Sequence, residues 1–152
     1  MKQCHEIDLE IIGQPMAEAA EITLDPGEIC ISEAGAMSWM DTCITMEATL
    51  TDGSAIKSGL VSNLFGAAKR MMAGESATVM QYKNVGNKRA KVVFGAPYLG
   101  TIVGLDLSEV DGEIFLQRGA YVAASFGTSI SVAFAGTGMG SFFGGEGLVF
   151  QS

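Results

Sequence analysis

The stretch GEICISEAGA at residues 27–36 is the strongest indication of the fold, because it occurs twice in the chain. It returns, one residue shorter, as GEIFLQRGA at residues 112–120, and each copy has the pattern of a turn, a short strand and a closing glycine. A repeat of this kind predicts two related β units, about 1–76 and 77–152. We expect them to pack as one body, because neither unit alone would bury much core.

Short strands separated by turn residues account for most of the remaining sequence. From Glu6, polar and apolar residues alternate, which is typical of a strand with one buried face. A second extended segment ends at Leu24, before the turn residues Asp25-Pro26-Gly27. The later predicted strands are Ile29–Ser32, Met37–Met40, Ile44–Leu50, Ala77–Lys83, Arg89–Phe94, Ile102–Leu107, Glu113–Arg118, Ile130–Phe134 and Gly147–Gln151. This spacing predicts an all-β fold, a β-sandwich of repeated units.

The composition agrees with a single folded domain. The chain has 152 residues, of which 48% are hydrophobic and 17% charged, and this balance excludes intrinsic disorder. Twenty glycines accompany only three prolines, which favours many tight turns and therefore β structure.

Residues 59–72 differ from the rest, because apolar side chains recur there at helical spacing. They predict one short amphipathic helix near 60–72. One interpretation is a lid over the open end of the sandwich. The other is a hydrophobic docking face for a membrane or a second subunit, with the basic residues Lys69 and Arg70 at its edge. The apolar residues of that face are Leu64, Phe65, Met71 and Met72.

The charge is unevenly distributed. Nine basic and seventeen acidic residues give a net charge of −8, which argues against a wholly basic nucleic-acid-binding surface. Residues 57–91, however, hold seven basic residues and one acid, a local charge of +6. Four basic residues flank one predicted hairpin turn and form a basic tip: Lys83, Lys88, Arg89 and Lys91. The tip is either an ordinary solvated hairpin that deters edge pairing, or a site for phospholipid, RNA phosphate or an acidic neighbouring subunit.

Catalytic motifs are missing from the sequence. His5 is the single histidine, the three cysteines form no C-x-x-C pair, and no Gly-x-Ser-x-Gly occurs. The glycine-rich run at 136–145 lacks the Lys-Ser/Thr of a phosphate-binding loop. We therefore expect no enzyme activity, no metal and no cofactor.

The sequence also bears on location. Two acids by residue 8 and no apolar run predict that there is no secretory signal peptide, and the cysteine pattern fits a reducing cytoplasm. Residues 119–145 are uncharged but rich in glycine, serine and threonine, so they favour buried strands over a membrane helix.

Several motifs resemble one known family and follow its order across nearly the whole chain. They are LDPGE at 24–28, EAGAM at 33–37, LFG at 64–66 with KRM at 69–71, GES at 74–76, APY at 96–98 and FGGEG at 143–147. The chain resembles bacterial and archaeal relatives of the mitochondrial Aim (altered inheritance of mitochondria) biogenesis family. The resemblance implies a β-sandwich like that of the tryptophan RNA-binding attenuation protein, with repeated units and ring-like oligomers. It brings no established activity and no catalytic residues; the mitochondrial members are associated with inner-membrane organisation.

Three hypotheses for function follow. The first is a non-enzymatic oligomeric scaffold or binding protein, a homo-oligomer (trimer or ring-like assembly) whose copies meet at open sheet edges. Longer relatives continue with a third unit, so a two-unit chain is expected to recruit another copy. The alternative is peripheral association with anionic membrane through the helix and the basic tip. The third is a small-ligand or RNA-binding regulator, but few aromatic side chains lie near the tip, so nucleic acid is disfavoured.

Overall fold

The computed structural model describes residues 7–49, 79–117, 119–133 and 147–151. The described residues form short strands and one 3-10 helix, Leu107–Val110. The strands are β1 (Asp8–Gln14), β2 (Ala17–Leu24), β3 (Ile29–Ser32), β4 (Met37–Met40), β5 (Ile44–Thr49), β6 (Val79–Asn84), β7 (Ala90–Gly95), β8 (Glu113–Gln117), β9 (Ala123–Ser125), β10 (Ser129–Ala133) and β11 (Gly147–Gln151). The predicted all-β class is confirmed. The amphipathic helix predicted near 60–72 lies outside the described residues.

The strands make three antiparallel sheets. The first sheet has the order β1-β2-β7-β4, the second β5-β6-β3-β9, and the third β10-β11-β8. The strand pairs within these sheets are all antiparallel, and most of them join strands that are distant in sequence.

The first core lies between the first and second sheets. On β2 and β7 the cross-strand pairs Ile22↔Val92 and Leu24↔Ala90 point inward, and all four side chains are buried. Tyr82 of the second sheet meets Phe94 of the first edge to face, with ring centroids 5.0 Å apart and planes at 77°. The contact is of the kind that aromatic quadrupoles favour, and it joins two sheets into a sandwich.

A second core lies on the opposite face of the second sheet. Ile31 and Val79 are buried there with Tyr121 and Ile130, and half-buried side chains of β8 pack against them. The second sheet is therefore a middle layer with a core on each side. This explains why Cys30, Ile31 and Ser32 of β3 are all fully buried instead of alternating.

One predicted strand is wrong, and one short strand was not predicted. The predicted strand Ile102–Leu107 is wrong: 101–106 pair with none of the strands that the structure describes, and a 3-10 helix begins at Leu107. The Asp106 side chain caps that helix by accepting from the Ser108 N–H, and Asp111 ends it at a φ of 57°. Strand β9 was not predicted, because three small residues carry no periodicity.

The two copies of the repeated stretch share local backbone geometry. Gly27 and Gly112 precede β3 and β8 with φ values of 86° and 79°, and Gly35 and Gly119 follow them at 89° and 79°. The wider inference of two related units over the whole chain stays a prediction.

Candidate functional site

The turn between β6 and β7 is organised by the buried side chain of Asn84. Its amide nitrogen donates to the backbone carbonyls of Leu24 (2.9 Å) and Lys88 (2.8 Å), and its Oδ1 accepts from the Gly86 N–H (2.9 Å). Asn84 is fully buried, and each of these bonds satisfies a polar group. The turn that carries the predicted basic tip is thereby tied to the end of β2.

Two of the four basic residues of the tip are paired with acids. Arg89 makes ion pairs with Asp8 and, at 3.1 Å, with Asp25. Lys91 places its Nζ 2.6 Å from Oε1 of Glu21, and this hydrogen bond raises the pKa of Lys91. These contacts offset much of the local positive charge that the sequence suggested.

Lys83 and Lys88 are exposed, and within the described part of the chain neither makes an ion pair. The other predicted site residues lie outside the described residues: Lys69, Arg70, Leu64, Phe65, Met71 and Met72. A combined surface of helix and tip therefore stays a prediction.

Burial governs the titration of two side chains in the core, Cys30 and Tyr82. Burial raises the pKa of the Cys30 thiol to about 12 and also raises the pKa of Tyr82. Cys30 is thus an unreactive core side chain, as expected for a small buried hydrophobe. Within 7–49, 79–117, 119–133 and 147–151, no three His, Cys, Asp or Glu side chains come together in a metal-binding group.

A cleft of about 650 Å³, which the sequence did not reveal, lies beside the first sheet. Its walls are the inner face of β1 and β2, the segment 100–108, strand β8 and the segment 119–125. The large apolar side chains that line it include Ile7, Leu9, Ile22, Ile102, Val103, Leu105, Leu107, Ile114 and Leu116. Because these residues come from four separate parts of the chain, no local pattern could have identified them.

Specific contacts hold the segment 100–108, here called the cleft segment, against the first sheet. The Gly100 N–H donates to the Met16 carbonyl (3.2 Å), and the Ile102 N–H donates to a carboxylate oxygen of Glu18 (2.7 Å). At Gly104 the backbone passes so close to Leu9 that a β-carbon would lie 2.7 Å from Leu9 Cδ2. Glycine therefore lets an irregular segment form a wall of the cleft.

The polar groups of the cleft are few. Of the lining residues that the structure describes, Asp106 is the one carboxylate, and none is a lysine, arginine or histidine. Ser108 donates to Asp106 Oδ1 through both its N–H (2.9 Å) and its hydroxyl (2.7 Å). The Tyr121 hydroxyl donates to the Ile31 carbonyl at 3.2 Å, and the Thr128 hydroxyl lies 3.1 Å from that of Ser125.

Apolar side chains are also exposed at the mouth of the cleft and beside it. Val103 and Leu105 line the cleft and are 68% and 45% exposed. Tyr98 is 76% exposed, and Leu99, which does not line the cleft, is 80% exposed. Such an accumulation is unusual for a surface that faces only water.

The family model described as mitochondrial biogenesis AIM24 matches residues 9–152. The chain belongs to the AIM24 family. The resemblance drawn from the sequence motifs is thereby confirmed. No curated protein sequence matches this AIM24 chain.

One solved structure shows the same fold at low sequence identity. It is an X-ray crystal structure of a protein from Streptococcus pyogenes, 20% identical, with a TM-score of 0.65. The alignment covers 96% of the AIM24 chain and 61% of the streptococcal one, so the AIM24 chain spans less than two thirds of that protein's length.

The AIM24-like motifs that lie within the described part of the chain fall at turns and at the cleft. LDPGE (24–28) forms the connection from β2 to β3, EAGAM (33–37) leads into β4, and APY (96–98) leads into the cleft segment. Among the described residues of this AIM24 protein, no helix has the length and apolar character needed to cross a bilayer.

Proposed function

We propose that this protein is a non-enzymatic scaffold that binds further copies of itself through an apolar patch formed by Met16, Tyr98 and Leu99. The exposure of Leu99, 80%, carries the proposal. Met16 is 58% exposed, and its carbonyl accepts from the Gly100 N–H, so the Met16 turn lies beside the chain that follows Leu99. A patch of this kind marks a protein-binding surface.

A second copy can occupy the patch without bringing like charges together there. Each chain carries a net charge of −8, so most of its surface opposes the approach of another copy. Met16, Tyr98 and Leu99 carry no charge, and two copies related by a twofold axis would present the same neutral surface to each other. The proposal places this scaffold in the cytoplasm, where thiols such as Cys30 and Cys43 stay reduced.

Sedimentation velocity over the micromolar range tests self-association. We expect the wild type to associate and Leu99→Asp to weaken association by at least about 100-fold, because each of two copies loses a buried leucine contact of about 1.5–3 kcal/mol. Val85→Asp is the matched control, since Val85 is 58% exposed but belongs to the β6–β7 turn. A monomeric wild type, or equal effects of the two substitutions, would contradict the proposal.

The membrane hypothesis now depends on fewer basic side chains. Arg89 and Lys91 are held by acids, so Lys83 and Lys88 are the residues to substitute. If the tip binds anionic lipid, Lys83→Glu/Lys88→Glu should abolish flotation with anionic liposomes and leave self-association intact. Equal flotation with neutral and anionic liposomes would remove this hypothesis.

A further inference from the structure

We propose that the cleft between the first sheet, the cleft segment and β8 binds an uncharged amphiphile with a mainly aliphatic body. Tyr98 belongs both to the apolar patch and to the cleft lining, so the two proposals are separated through Leu99, which does not line the cleft.

The size of the cleft fits a small molecule. Its volume of about 650 Å³ lies within the range of roughly 300–1,000 Å³ typical of small-molecule sites. At roughly 30 Å³ per heavy atom, the share that a water molecule takes in the liquid, it holds about 20 heavy atoms. A single acyl chain with a small head group has this size.

The aliphatic side chains of the lining favour a ligand with a hydrocarbon body. Ile22 from the first sheet, Ile102 from the cleft segment and Leu116 from β8 all line the cleft. Their contacts are non-directional and therefore suit a flexible hydrocarbon chain. The mouth is apolar as well, since Val103 and Leu105 are exposed there.

The charges of the lining select against an anionic head group. Among its described lining residues the cleft has the carboxylate of Asp106 and no basic side chain, so a bound carboxylate or phosphate would be desolvated beside a like charge. A neutral head group could instead exchange hydrogen bonds with hydroxyls such as those of Thr128 and Ser108, both of which line the cleft. The preferred ligand is therefore neutral, and free fatty acids are disfavoured.

A series of probes with the same dodecyl body tests this preference. Monododecanoylglycerol is the neutral probe and dodecanoate the anionic one, each titrated calorimetrically into the full chain below its micelle concentration. We expect saturable one-to-one binding of the neutral probe and at least tenfold weaker binding of dodecanoate. Absence of saturable binding, or equal affinities, would overturn the proposal.

Introducing a positive charge at the mouth of the cleft gives a second test. Leu105→Arg places a cation on the lining at a position that is 45% exposed and so tolerates charge. We expect it to raise the affinity for dodecanoate at least tenfold. Phe115→Arg is the matched control, because Phe115 is 67% exposed on β8 but does not line the cleft. A gain of equal size in both variants would locate binding elsewhere and overturn the proposal.

Failure of this proposal can be told apart from failure of the scaffold proposal. Leu99→Asp should lose self-association and keep the affinity of the wild type for the neutral probe. If Leu99→Asp lowers that affinity as strongly as it lowers self-association, the probe binds the apolar patch and the cleft proposal is wrong. Circular dichroism and urea unfolding of each variant show that it is folded before binding is compared.

Discussion

Replacing Asn84 should cost more stability than any exposed substitution in the same turn. Its side chain is fully buried and makes three hydrogen bonds, two as a donor and one as an acceptor. These bonds connect the end of β2 to the turn between β6 and β7, and so join the first and second sheets.

The cost of Asn84→Leu can be worked out bond by bond, because leucine has a similar volume but no polar atoms. The Lys88 carbonyl and the Gly86 N–H lie in an accessible turn, and loss of each bond costs about 1 kcal/mol. The Leu24 carbonyl is buried and would be left without this donor, at about 1–3 kcal/mol. We expect a total loss of about 3–5 kcal/mol, a large part of the stability of a small domain.

Asn84→Asp adds a pH dependence whose sign follows from the same geometry. The new carboxylate would face the carbonyl oxygens of Leu24 and Lys88 in a buried site, so its pKa in the folded state is raised above the unfolded value of about 3.9. The folded state then binds the proton more tightly than the unfolded chain, and stability relative to the wild type recovers as the pH falls. The protonated acid can also donate one of the two lost bonds.

Urea unfolding at pH 7.5 and pH 5.5 measures both effects. The difference between wild type and Asn84→Asp should shrink at pH 5.5, whereas the difference for Asn84→Leu should stay nearly constant. The reasoning is refuted if Asn84→Leu costs no more than the roughly 0.5 kcal/mol of an ordinary surface substitution, or if the deficit of Asn84→Asp is independent of pH.

Three further outcomes are expected. Burial raises the pKa of Cys30 from 9.0 to about 12 and also raises the pKa of Tyr82, so the folded state keeps these protons to a higher pH than the unfolded chain does. The free energy of unfolding should therefore fall from about pH 9 upwards. In urea unfolding between pH 8 and 10.5, Cys30→Ala should show a smaller fall than the wild type. Phe94→Ala should lose about 3–5 kcal/mol by calorimetry, and a loss below 1 kcal/mol would contradict the assigned core. Gly13→Ala should lower the melting temperature more than Gly27→Ala. Both glycines have a positive φ, but only at Gly13 would the new β-carbon also lie 2.5 Å from the backbone oxygen of Ala17.

Local patterns predicted most strands, because their signals lie within a few consecutive residues. Ile29–Ser32, Met37–Met40 and Gly147–Gln151 have the predicted bounds. Ile102–Leu107 has the composition of a strand but not its pairing, since the cleft segment is held by Glu18 and by the Met16 carbonyl instead of by a neighbouring strand. Amino-acid composition cannot show whether the backbone groups of an extended segment bond to a neighbouring strand or to side chains and turns.

The basic tip shows the same limit for the candidate site. The sequence placed Lys83, Lys88, Arg89 and Lys91 around one turn, and the structure agrees that they flank the β6–β7 turn. The sequence could not show that Asp8 and Asp25 pair with Arg89, or Glu21 with Lys91, because these acids lie more than 60 residues away from their partners along the chain. Ion pairing depends on distance in space, and here it is set by the register of β2 and β7.

The sequence by itself determined the all-β class, the family and the turn positions, because alternation, glycine at positive φ and ordered motifs are local properties of the chain. Only the tertiary structure decided that the second sheet has a core on both faces, that Arg89 and Lys91 are paired, and that an apolar cleft of about 650 Å³ lies beside the first sheet. Each of these depends on which distant segments meet, and packing of whole sheets, unlike strand formation, is not encoded in any short stretch.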